Sequence, residues 1–157
     1  MLFPSLSLAQ MEALARYVGS CLRKGDIVTF SGDLGAGKTS FARELIRSLS
    51  AKNVQVTSPT FVIMQSYDVK LADGSPEQLW HLDLYRIKNE KEVQELGLEE
   101  IWPHVTLIEW PDIIKNTLSK KRLDIVFNFV PFKDSRKLSF TGDDYWQEKL
   151  QSFEETA

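Results

Sequence analysis

The sequence predicts one α/β domain of the glycine-loop nucleotide-binding type, with a mixed parallel and antiparallel sheet flanked by helices. Three observations carry this. A short apolar run, a glycine-rich turn and an amphipathic helix follow one another between residues 27 and 49. Further apolar runs of strand length recur as far as residue 140, with turn residues or helical patterns between them. The chain has 157 residues, 43% hydrophobic and 26% charged, which suits a single compact core over residues 1–157.

The elements follow in order. Ser7-x-x-Gln10 forms a capping-box pattern, and Met11, Leu14, Ala15, Val18 and Leu22 continue one apolar face of a helix expected to end near Gly25. Ile27-Val28-Thr29-Phe30 reads as a buried strand. Phe41, Ala42, Leu45, Ile46 and Leu49 then line one face of a helix over Lys38–Leu49. Phe61–Met64 and Leu79–Tyr85 read as two strands of a hairpin, because Ala72-Asp73-Gly74-Ser75-Pro76 between them is turn-like. In the second strand Trp80, Leu82 and Leu84 face one way, and His81, Asp83 and Tyr85 the other. Asn89 caps a short helix that Gly97 stops. Val105–Ile108, Leu123–Phe129 and Arg136–Phe140 complete the strands. A last helix starts near Asp144, with Tyr145, Trp146 and Leu150 for packing.

The chemistry begins in the turn Gly32-Asp33-Leu34-Gly35-Ala36-Gly37-Lys38-Thr39, which fits Gly-x-x-x-x-Gly-Lys-Ser/Thr at every fixed position. Its glycines let backbone amides approach phosphate, and the following helix adds the positive end of its dipole. Lys38 supplies a mobile charge for the β- and γ-phosphates, and the Thr39 hydroxyl is suited to Mg²⁺. The expected nucleotide contacts are Asp33, Leu34, Gly35, Ala36, Gly37, Lys38, Thr39, Ser40 and Thr60. Hydrolysis also needs carboxylates. Glu109 directly follows the strand Val105–Ile108, where ligands of α/β sheets gather, and is the expected metal ligand beside Thr39. Asp83 lies on the polar side of its strand, where catalysis and solvent exposure both account for it. Ser58-Pro59-Thr60 reads either as a switch that senses the γ-phosphate or as a turn leading into Phe61.

Charge and composition exclude several classes. Nineteen basic against twenty-two acidic residues leave a net charge of −3, so no global basic field favours DNA or RNA. The dense basic stretch Lys115, Lys120, Lys121 and Arg122 reads as solvated surface or, less readily, as a docking patch. Cys21 stands alone, and His81 and His104 lack companions at zinc-ligand spacing. No apolar run approaches a membrane span, and Met1-Leu2-Phe3-Pro4 lacks the start of a signal peptide, so a cytoplasmic location is expected.

Five stretches, the glycine loop among them, resemble the TsaE (YjeE) family, in family order over roughly residues 5 to 140. They are the loop itself, Thr57-Ser58-Pro59-Thr60-Phe61, His81-Leu82-Asp83-Leu84-Tyr85-Arg86, Leu96-Gly97-Leu98-Glu99-Glu100 and Ile108-Glu109-Trp110-Pro111. The loop is shared by many ATPases; Asp-Leu-Tyr-Arg followed by Glu-Trp-Pro is far more specific. The resemblance implies a slow Mg²⁺-dependent ATPase of tRNA threonylcarbamoyladenosine formation, with ATP or ADP and Mg²⁺ as cofactors. It implies catalytic roles for Lys38, Asp83 and Glu109. It also implies work alongside a TsaB–TsaD complex in which TsaD makes the transfer, so tRNA is met only through that complex. The likeness fades beyond Asp112, leaving Lys133–Arg136 and the segment before the first helix as the places to look for adenine contacts. Two other readings compete. A small-molecule kinase would use Arg86 or the stretch Lys120–Arg122 as a lid, and a binding module would hold nucleotide without turnover. A GTPase is disfavoured, since the chain has no Asn-Lys-x-Asp.

Overall fold

A computed structural model describes residues 1–51 and 53–156, the side chains of 154–156 excepted. Seven strands form one sheet: β1 (Leu2–Leu6), β2 (Ile27–Gly32), β3 (Met64–Lys70), β4 (Pro76–Asp83), β5 (Val105–Glu109), β6 (Leu123–Phe129) and β7 (Arg136–Thr141). They lie in the order β1-β7-β6-β2-β5-β4-β3. The centre, β6-β2-β5-β4, is parallel, and antiparallel pairs close both flanks. Helices α1 (Leu8–Cys21), α2 (Lys38–Leu49), α3 (Glu90–Glu95) and α4 (Asp144–Thr156) complete the domain. The mixed sheet flanked by helices is the predicted class.

The parallel centre is apolar on both sides, as such sheets must be. On one face α1, α2 and α4 pack Leu14, Val18, Phe41, Leu45, Ile46 and Trp146 onto Val28, Phe30, Leu107, Ile125 and Phe127. Phe30, Phe41 and Phe127 make a mutual cluster with ring centroids 5.6–6.0 Å apart, Phe127 meeting both other rings edge-on. Truncating one such ring to alanine costs about 3–5 kcal/mol, so this cluster is a firm floor under the strand end that carries the glycine loop. The other face is covered more thinly. Ile27, Leu82 and Ile108 meet Leu98, Ile101, Ile114 and Leu118 from short turns and their flanks.

The helix starts match their sequence signals. Ser7 Oγ accepts from the Gln10 amide while Gln10 Oε1 accepts from the Ser7 amide, closing the capping box. Asn89 caps α3 through the Glu92 amide, and Gly97 adopts the left-handed conformation at its end.

Four details differ from the sequence reading. Phe61–Met64 is not a strand: the Ile63 amide donates to the Pro59 carbonyl, the segment is folded into turns, and β3 starts only at Met64. Phe61 and Val62 are exposed, so their apolar character reflected no burial. The hairpin itself stands, antiparallel across Leu71–Ser75, but β4 ends at Asp83 rather than Tyr85. There the Tyr85 amide turns back to donate to Asp83 Oδ1. Helix α1 stops at Cys21, because Leu22 is already extended and Gly25 sits in the turn before β2. The N-terminal residues, given no element in the sequence reading, form edge strand β1 on β7, anchored by Phe3 against Phe140.

Candidate functional site

The parallel register decides where the chemistry meets. Strands β2, β5 and β4 run side by side, with Phe30 beside Glu109 and Glu109 beside Asp83. Their carboxyl ends therefore present the glycine loop and both carboxylates at one edge, the usual ligand crevice of such sheets. Neighbours in register point to the same face, so Glu109 and Asp83 lie on the α2 side, beneath its first turn.

The loop leads from β2 into α2, whose first turn begins at Lys38 after Gly37. Lys38 is buried, and its ammonium donates to the carbonyls of Gly32 and Asp33, the latter at 2.8 Å. The Trp110 ring covers the ammonium, with its centroid 4.1 Å from Nζ. Burial pushes the Lys38 amine below the ordinary lysine range, against the opposing pull of the Glu109, Asp83 and Asp33 carboxylates. The Thr39 hydroxyl lies 2.9 and 2.8 Å from the two oxygens of Glu109. Asp83 is only 3% exposed, so the solvated reading of its strand face does not hold. Its Oδ2 accepts from the Thr60 hydroxyl at 2.8 Å and its Oδ1 from the Tyr85 amide at 2.9 Å.

A cleft of about 180 Å³ is lined by Leu34, Gly35, Gly37, Lys38, Thr39, Ser40, Thr60, Asp83, Glu109 and Trp110. Most of the residues singled out from sequence thus share one cavity. Asp33 is exposed at the loop's shoulder and reaches Lys38 through its main-chain carbonyl; Ala36 is buried behind the loop. The donor set suits a hard cation that keeps most of its waters: a hydroxyl and a carboxylate oxygen side by side, with room for phosphate oxygens. No group of three or more His, Cys, Asp or Glu forms a dedicated metal cage among the described residues.

Two participants escaped the sequence reading, and a third had been marked only as part of the region Lys133–Arg136. His81 is fully buried with Nε2 2.8 Å from Glu109 Oε1. It stands two residues before Asp83 on the same strand face, and that spacing was the available signal. Tyr85 packs against Trp110, centroids 4.8 Å apart, and so backs the ring that walls the cleft. Arg136 reaches across from β7 to the Ala36 carbonyl at 3.2 Å, bracing the back of the loop.

Fold and site together define a glycine-loop α/β domain whose lysine, hydroxyl and two carboxylates converge at the carboxyl ends of parallel strands. The sequence model of the family described as "Threonylcarbamoyl adenosine biosynthesis protein TsaE" matches residues 5–138, and the chain belongs to that family. A Rickettsia bellii protein named tRNA threonylcarbamoyladenosine biosynthesis protein TsaE is 37% identical over 138 residues, covering 87% of this chain and 90% of the relative. The Bacillus subtilis protein of that name is 37% identical over 135 residues, covering 85% of this chain and 80% of the relative. The Rickettsia felis protein is 39% identical over 117 residues, covering 74% of this chain, and the match spans just under two thirds (66%) of that relative's length. The crystal structure of Bacillus subtilis YdiB superposes with a TM-score of 0.73 at 28% identity, covering 97% of this chain and 95% of that one. The family's named role is biosynthesis of threonylcarbamoyladenosine on tRNA.

Proposed function

We propose that this chain is the Mg²⁺-dependent, slowly ATP-hydrolysing component of the tRNA threonylcarbamoyladenosine machinery, working with a TsaB–TsaD complex. One observation carries the nucleotide half of this reading: Thr39 and Glu109 lie within hydrogen-bond distance in the same cleft as the Lys38 ammonium. Family membership carries the tRNA half.

In this reading the loop amides and Lys38 hold the phosphates, and the ammonium leaves the Gly32 and Asp33 carbonyls to meet them. Thr39 and Glu109 hold Mg²⁺, which neutralises charge developing on the phosphate oxygens when it is bound. Asp83 orients a water at the γ-phosphate. Each of its oxygens keeps a second lone pair beyond the bonds from Thr60 and Tyr85. Thr60, tied to Asp83, relays the presence of the γ-phosphate to the turn 58–63.

For the base, both regions proposed from sequence line one cavity. It measures about 250 Å³ behind the loop, with Leu6, Leu8 and Met11 on one side and Asp134, Ser135 and Arg136 on the other. Apolar walls with a few polar groups at the edge suit a purine. The kinase reading gains less support. The Arg122 guanidinium is held by Asp124 and by the Leu118 and Ser119 carbonyls, and Arg86 stacks on Phe61. A net charge of −3 does not favour direct tRNA binding, and none of the described helices is long and apolar enough to cross a membrane.

The test is reconstitution with TsaB, TsaD and tRNA substrate, using wild type and Lys38→Ala. Wild type should bind ATP and ADP with Mg²⁺, release free phosphate and support repeated modification; Lys38→Ala should lose all three. Equal tRNA modification by Lys38→Ala would overturn the reading. Phosphate appearing on an added metabolite would favour the kinase.

A further inference from the structure

We infer that His81 is a positioning residue that holds the Glu109 carboxylate toward Thr39 and away from Lys38. The inference rests on the nucleotide reading above and adds a residue to it. His81 has no exposed surface, and its Nδ1 finds no hydrogen-bond partner among the described residues. The ring's one polar contact is Nε2 to Glu109 Oε1, at 2.8 Å. Burying an imidazole with half its polar capacity unused costs free energy that a leucine or phenylalanine would not. What the imidazole gives in return is therefore specific to Glu109.

An ionised carboxylate only accepts hydrogen bonds, so in this contact Nε2 carries the hydrogen and Oε1 is the oxygen it restrains. The contact is diagonal across the pair β4–β5: His81 is in register with Leu107, two residues before Glu109. Both strands are paired on each side and buried at these positions, so the donor stands on a rigid support.

Thr39 cannot do this work alone. Its single hydroxyl hydrogen reaches one Glu109 oxygen at a time, and its oxygen is the atom proposed to meet the metal. The competing pull comes from Lys38, whose ammonium lines the same cleft beside Glu109. Opposite charges attract strongly when water is scarce. A released Glu109 would turn toward Lys38 and leave Thr39 without its carboxylate partner at the position proposed for the metal. With His81 in place, Glu109 keeps facing Thr39, and Lys38 stays on the loop carbonyls, free to swing out.

The experiment titrates Mg²⁺ into protein with ADP by calorimetry, and separately measures ADP binding in chelator. It compares wild type with His81→Phe, which keeps a ring without the donor, and His81→Gln, whose amide reaches the position of Nε2. His81→Phe should weaken apparent Mg²⁺ affinity about 10- to 100-fold, the usual cost of losing a ligand's support. ADP affinity in chelator should stay within about 2-fold of wild type, and His81→Gln should recover most of the Mg²⁺ affinity. If His81→Phe fails to fold, His81→Asn replaces it, since its shorter amide reaches only the position of Nδ1. Unchanged Mg²⁺ affinity in the variant lacking the donor would overturn the inference. So would equal losses with and without Mg²⁺, which would mark a purely structural role. Wild type that took up no ADP under either condition would instead sink the nucleotide reading, and this inference with it.

Discussion

At the scale of single residues, the site is organised by charges kept apart. Lys38 is tied to main-chain carbonyls, Glu109 to Thr39 and His81, and Asp83 to Thr60 and Tyr85, so an ammonium and the two carboxylates that attract it share a cleft without collapsing onto one another. The cost falls on Lys38. Its amine is pushed below the ordinary lysine value chiefly by burial, so the folded, ligand-free protein gives up that proton at lower pH than the unfolded chain does. Between the lowered value and the ordinary one of about 10.4, the unfolded state binds more protons, and stability from this group rises with pH. Below the lowered value the full penalty is present. Lys38→Met should therefore be more stable than wild type near neutral pH, with the gap closing as pH climbs toward the ordinary lysine value. Urea unfolding of both proteins across that range measures it; a pH-independent gap would mean that the ammonium is not strained by burial.

At the scale of elements, the junction of β2 and α2 does most to shape the site. Gly32 closes β2 at φ +138°, and an added Cβ would overlap the Phe127 carbonyl on neighbouring β6. Gly35, at the loop's tip, has φ +75° with open space around it. The two glycines therefore separate backbone strain from packing. Gly35→Ala should cost about 1–2 kcal/mol, the strain of the left-handed conformation alone. Gly32→Ala should cost more, about 2–4 kcal/mol, because the strand end must also move away from β6. Denaturant unfolding without nucleotide compares them, and equal losses would show that β2 and β6 are not tightly packed at this end. The turn 59–63 is the opposite kind of element: Phe61 and Val62 are exposed, and its fixed point in the site is Thr60 on Asp83. Its apolar residues imitated a strand because hydrophobic runs report burial only when something is present to bury them.

At the scale of the whole molecule, the domain couples ligand to fold, because the proposed nucleotide contacts span β1, α1, the loop, β4, β5 and β7. A ligand that binds only this assembled state at 100 times its Kd adds about 2.7 kcal/mol to stability. For a domain of this size that corresponds to a rise in Tm of roughly 5–10 °C. Thermal unfolding with Mg²⁺-ATP should show such a shift in wild type and none in Lys38→Ala. A shift of the same size in the variant would place the binding energy elsewhere than in the glycine loop.

The glycine loop, the helices α1 and α2, the hairpin and the late strands were legible in the chain because each is local. Periodicity, capping residues and turn residues act over a few positions and need no distant partner. Glu109 was legible too, since a carboxylate closing a buried strand has few structural uses. The tertiary fold alone decided the rest. Strand order and register are set by the packing of residues far apart in sequence, and they bring His81, Asp83 and Glu109 under one helix turn. The same packing lays Arg136 from β7 against a loop one hundred residues earlier. Local patterning carries no information about which strands become neighbours. In sequence the polar side of β4 therefore fitted catalysis and solvent exposure alike, and only its enclosure in the fold decided between them.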